Sequence, residues 1–160
     1  MKKEDWIIVI LVVSLIGNVA LLIDHRHVNK DQELKHELFY ANIWRDLSQL
    51  EVTIQYQIDN NWSNETLITQ KLDDAIDSII LDTAMENDDD KEDILWKLYE
   101  YMEEFRFDGD TLDVSLNDKQ RTDYINLGKK LRSSGWTFNA AYDMSWSTIK
   151  SKVEDLTLES

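Results

Sequence analysis

Residues 6–23, WIIVILVVSLIGNVALLI, are eighteen consecutive positions without a charge, close to the start of the chain. At 1.5 Å per residue such a run makes a helix roughly 27 Å long, which matches the hydrocarbon thickness of a bilayer. A soluble core helix would carry a polar stripe, and here only Ser14, Gly17 and Asn18 interrupt the apolar character. A cleavable export signal has a shorter apolar region of about 7 to 15 residues, followed by small residues at the cut. Ala20 is followed instead by Leu-Leu-Ile-Asp, and with no cysteine in the chain lipoprotein processing is excluded.

The expectation is a retained single-pass anchor over residues 6–23, with a short cytoplasmic tail at 1–5 and an acidic body at 24–160 outside the membrane. Orientation rests on Lys2 and Lys3, confined to that tail, against Arg26, Lys30 and Lys35, which belong to a long downstream domain. Ser14, Gly17 and Asn18 fall at i, i+3 and i+4 and share one helix face. Small and amide-bearing residues on one face permit close approach of two helices in lipid. They are the candidate face for homo-oligomer formation through the anchor.

The rest of the chain is long enough for one modest domain. The whole chain has no proline and only four glycines in 160 residues, too few turn formers for an all-β fold. The net charge of -15 argues against nucleic acid, whose binding draws on clustered Lys and Arg. A basic protein partner, a cation or simple solubility suits this balance better. The charge is uneven: Asp73 to Asp113 holds sixteen carboxylates against three basic residues, whereas Asn117 to Lys152 holds seven basic residues against three acidic ones. The simplest expectation is that the acidic middle packs beside the basic end.

Apolar residues at three- and four-residue steps predict helices throughout the body. The first runs from about Asn29, with Leu34, Leu38, Ala41, Leu47, Leu50, Ile54 and Ile58 inward, and NNWSN ends it. Ser63 or Asn64 is the candidate cap of a second helix, with Ile68, Leu72, Ile76, Ile79 and Ile80 inward and Asp73, Asp74, Asp77 and Asp82 outward. ENDDD caps a third, which carries Ile94, Leu95, Leu98, Tyr101, Met102 and Phe105. Ser115 or Asn117 caps a fourth, and Gly135 ends it. A fifth is expected from Trp136 to about Leu156. The fold class is therefore all-α: an N-terminal transmembrane helix followed by a small up-and-down bundle of four or five amphipathic helices.

No motif specifies a reaction. The runs DDAIDSIILD and NDDDKED bring oxygens together, but Asp93 stands where a calcium loop requires glycine. Glu33 and His36 form one Glu-x-x-His, whereas di-iron bundles need two such pairs and further glutamates. Glu100, Glu103 and Glu104 read as a charged helix face, and there is no Gly-x-Ser-x-Gly elbow. The expectation is no enzyme activity, no cofactor and no metal.

Tryptophan is the remaining signal. Helical spacing assigns Trp44, Trp96 and Trp146 to the core, while Trp62 lies in a turn and Trp136 follows a glycine. Trp62, Trp136 and Phe138 are the candidate partner contacts, since exposed aromatics beside an acidic surface mark interfaces. The expected function is a membrane-anchored interaction module; an extracytoplasmic ligand-binding or sensory domain is the alternative, and a cell-surface enzyme a more distant one.

Overall fold

The computed structural model describes residues 36–106 and 114–158. The predicted anchor at 6–23, with Ser14, Gly17 and Asn18, lies outside the described residues. Among those described, no helix is long and apolar enough to cross a membrane. Glu37–Ser160 forms a compact unit, and its described residues contain five helices and no strand: α1 (36–59), α2 (Thr66–Met85), α3 (Asp89–Glu103), α4 (Asp118–Ser133) and α5 (Trp146–Thr157).

The helix ends follow from local chemistry. The Asp88 carboxylate accepts from the backbone N–H of Asp90 and Lys91, closing the start of α3 next to Asp89, Asp90 and Glu92 in its first turn. Those charges also favour the positive end of the helix dipole. Asn117 and Gln120 form a reciprocal capping box at the start of α4. Gly135 ends α4 at φ 83°. Trp136 N–H reaches the carbonyl of Leu131 at 2.8 Å and Gly135 N–H that of Arg132 at 3.3 Å, the two bonds of a Schellman motif.

α1 lies along the core and contributes Tyr40, Ile43, Leu47, Leu50 and Ile54 to it. It runs antiparallel to α2, as the bonds Tyr40 to Glu86, Ser78 to Asp46 and Asn64 to Gln57 show. It also runs antiparallel to α4, where Arg132 Nε donates to Glu51 at 2.8 Å. Gly128 permits this approach: a Cβ there would lie 2.9 Å from Ile54 Cγ2. Gly128→Ala is expected to lower stability by about 1 kcal/mol, because overpacking of about 1 to 3 kcal/mol outweighs the gain of about 1 kcal/mol in helix propensity. The measurement is the urea midpoint of the full chain in detergent micelles; a raised midpoint would show that α1 and α4 separate at no cost.

Several sequence expectations are corrected. Leu38 is 60 % exposed, because Tyr40 and Ile43 turn the inner face of α1 away from it. Ile80 is exposed and Asp82 buried, so the buried face of α2 turns toward Asp82 and Thr83 at its end. Trp96 is also exposed, in edge-to-face contact with Tyr99 at 5.0 Å. Neither Ser63 nor Asn64 caps α2. Glu65 holds the cap position without a side-chain bond there, and its carboxylate accepts instead from Leu116 N–H and Arg121 Nε, both at 2.7 Å.

The fifth helix begins at Trp146, since the Schellman turn sends residues 136–145 across the bundle as non-helical chain. The acidic middle packs beside the basic end as expected, with α3 against α5, but the ion pairs of the basic end go elsewhere. Arg121 and Arg132 meet Glu65 and Glu51, which precede the acidic middle, while Asp89, Asp90 and Asp93 of α3 remain exposed.

Candidate functional site

The three candidate contact residues take different places. Trp136 is 0 % exposed and forms part of the core. Its indole Nε1 donates to the Lys152 carbonyl at 3.4 Å, and Lys152 Nζ lies 5.4 Å from the ring centroid. Its burial follows from its position, since the residue after an αL cap packs back on the last turn of the helix. As a partner contact Trp136 is therefore corrected, because no part of its side chain reaches the surface. Burial also lowers the Lys152 ammonium below its usual range.

Trp62 is half-buried. It has φ 59° beside Asn61 at φ 51°, and its N–H closes the end of α1 on the Gln57 carbonyl at 2.7 Å. A bulky residue in the left-handed region is held there by its surroundings. Arg121 supplies them, with its guanidinium 5.8 Å from the Trp62 ring centroid and its Nε tied to Glu65.

Phe138 is 49 % exposed and Tyr142 68 % exposed. Both meet Trp44 of α1 edge to face, with centroids at 5.4 and 5.5 Å and interplanar angles of 89° and 90°. Trp44 is half-buried between them. The segment leaving the Schellman turn thus lays two aromatic rings against a third on α1 and leaves their outer surfaces in water. Carboxylates flank this face: Asp143 adjoins Tyr142, and Glu37 lies two helical turns before Trp44 on the same side of α1. Hydrogen bonds from Thr148 and Ser145 hold the Asp143 carboxyl below the usual range, so it stays ionised. Sequence reasoning found Phe138 but not its neighbours: Tyr142 fell within the expected fifth helix and Trp44 was assigned to the core.

The second concentration of chemistry is inside the bundle, where Tyr40 of α1 meets the end of α2. Tyr40 hydroxyl donates to Glu86 Oε2 at 3.2 Å. Glu86 Oε1 accepts from the N–H of Asn87 at 3.0 Å and of Asp88 at 3.3 Å, and Lys91 Nζ lies 3.8 Å from Oε2. Trp146 of α5 covers this group, 5.6 Å from Tyr40 by ring centroids, with Lys91 Nζ 5.6 Å from the Trp146 ring. Asp82, one turn before Glu86, is 1 % exposed, and neither of its oxygens finds a hydrogen-bond donor among the described residues. Burial, and then the Glu86 charge, raise its carboxyl to about 7, against an opposing effect of Lys91. The same burial and the same two carboxylates push the Tyr40 hydroxyl far above its usual value.

Comparison of the chain with protein-family models, curated proteins and solved structures returns no match. Among the described residues, no group of three or more His, Cys, Asp or Glu is placed to hold a metal ion.

Proposed function

We propose that this protein is a membrane-anchored helical interaction module, whose body presents the Trp44, Phe138 and Tyr142 face to a basic segment of a protein partner. The observation that carries the reading is the exposed pair of rings set edge-on against Trp44, with Asp143 next to Tyr142 in the chain. Rigid aromatic anchors dominate interface energetics, and arginine or lysine is drawn to aromatic faces as well as to carboxylates. The anchor follows from the length of the uncharged run at 6–23, which would hold the acidic body outside the membrane, and the reading assigns no reaction.

The test is photo-crosslinking in the native host, with the reactive group at position 142 and a control at 119 on α4. Capture of one discrete protein from 142 alone is expected, and Phe138→Ala in the same chain should reduce it about tenfold or more, as losing an anchor of about 2 kcal/mol implies. Equal labelling from both positions, or no effect of Phe138→Ala, would remove this face as the contact. Protease treatment of intact cells carrying a tag at Ser160 tests the orientation, and full protection of the tag would reverse it.

A further inference from the structure

We propose that the exposed face of α3 is a docking site for a cationic partner, which seats an arginine side chain on the Trp96 ring between Asp93 and Glu100. The site is separate from the Trp44, Phe138 and Tyr142 face, and it holds or fails without it.

Asp89, Asp93, Trp96 and Glu100 follow one another at steps of four, three and four residues, so they share one face of α3, and all four are exposed. Ile94, Leu95, Leu98 and Met102 take the core side of the helix and turn Trp96 outward, with 45 % of it in water. Tyr99 meets the indole edge to face, with centroids 5.0 Å apart and planes at 77°, and holds it against the helix. The ring and the carboxylates on either side of it line an open depression of about 540 Å³, whose remaining wall is Lys97.

The charges of this face are not neutralised within the bundle. The basic residues nearest in the chain are engaged elsewhere: Lys91 Nζ lies 3.8 Å from Glu86, and Arg106, just past the helix, reaches Glu103 at 2.7 Å and Asp73 at 3.4 Å. Among the described residues Asp89, Asp93 and Glu100 enter no ion pair. Their arrangement is unfavourable in the free protein. Asp89 and Asp93 are like charges at i and i+4, and Glu100 stands in the last turn, where the dipole disfavours a carboxylate and no basic residue offsets it. A cation bound over Trp96 relieves both, and the ring supplies what a bare acidic surface lacks, an apolar wall that fixes the cation in one place. Arginine fits this geometry better than lysine: a planar guanidinium lays its face on the indole while its N–H groups reach carboxylates on both sides, whereas an ammonium is a point charge. The same charges repel phosphate-bearing surfaces, which leaves a cationic protein segment as the occupant.

The test is NMR of the full chain in detergent micelles, labelled with nitrogen-15 at its six tryptophans and titrated with a blocked hexa-arginine peptide. Trp96→Phe assigns the Trp96 indole signal, which is expected to shift saturably. Asp93→Asn with Glu100→Gln should weaken the apparent Kd read from that signal by about fivefold or more. Asp77→Asn with Asp155→Asn removes the same charge from exposed positions on α2 and α5 and should change it by less than about twofold. Lys97→Gln removes the competing ammonium and should tighten binding, and hexa-lysine should bind more weakly than hexa-arginine. All the substituted side chains are exposed, so the variants keep the fold. A Trp96 signal that does not move, equal weakening by the two carboxylate pairs, weaker binding in Lys97→Gln, or equal binding of the two peptides overturns the proposal. Movement of the Trp44 signal alone overturns it and leaves the reading of the Trp44 face intact; movement of Trp96 alone supports this site and counts against that face.

Discussion

Trp136→Ala is expected to lower the stability of the full chain in detergent by about 3 to 5 kcal/mol, the range for removing a large aromatic side chain from a core. Phe138→Ala, two residues on, should cost less than about 1 kcal/mol, because half of that side chain already faces water. The contrast follows from one turn. Gly135 takes φ 83° and points residue 136 back onto Leu131. Trp136 then fills the space between the end of α4 and α5, with its indole N–H on the Lys152 carbonyl. The cavity left by alanine would also expose the Lys152 ammonium that lies over the ring, so part of the loss would be recovered by hydration of that charge. Urea denaturation of the two variants checks the order; similar losses would mean that the 136–145 segment does not pack as described.

The second large effect is on the pH dependence of stability. Asp82 has its folded-state value raised from 3.8 to about 7. The folded protein therefore holds a proton that the unfolded chain releases between these values. The associated stability is fully present below about pH 4, is lost as pH rises to about 7, and is constant above that. Roughly three pH units correspond to about 4 kcal/mol at 1.36 kcal/mol per unit. Other carboxyls have their own profiles, so the quantity to measure is the stability of Asp82→Asn minus that of wild type. This difference should grow by about 4 kcal/mol between pH 4 and pH 8 in favour of the variant. The offset at pH 4 reports the cost of the buried amide, and the slope reports the proton. A difference that is flat with pH would show that Asp82 is hydrated or paired in solution.

The sequence made most helix ends legible, because caps are local. Asp88, Asn117 and Gly135 act within four residues of their own positions; residue type narrows the first to ENDDD, the second to Ser115 or Asn117, and points to Gly135 directly. The cap of α2 was not legible. Ser63 and Asn64 are better capping residues than Glu65, but the Glu65 carboxylate is drawn to Leu116 and Arg121, more than fifty positions away. Only the fold brings those donors within reach. The fifth helix was read about ten residues too long for a related reason: Phe138, Tyr142 and Trp146 recur at four-residue steps, which fit a helical pattern. The real partner of Phe138 and Tyr142 is Trp44.

The candidate surface was legible only in part. Phe138 was chosen because aromatics near a turn are often exposed, and it is exposed; Trp136 was chosen on the same ground and is buried. Sequence cannot separate them, since a Schellman turn buries its first outgoing residue through a contact with the preceding helix. Asp82 shows the same limit in the opposite sense. An aspartate among aspartates on a helix reads as solvated, and its burial depends on Tyr40 and Trp146 closing over the end of α2.

By itself the sequence determined an all-helical body, the starts of α3 and α4, the stop after α4, and an uncharged run of membrane-spanning length at 6–23. These are properties of period, residue type and local hydrogen bonding, which act over a few residues. The tertiary structure decided which side of each helix faces in, which of two neighbouring aromatics stays in water, and that Asp82 is buried while Asp74 and Asp77 stay in water. Each of those outcomes depends on groups brought together from distant parts of the chain, and their energies arise only when water has been excluded between them.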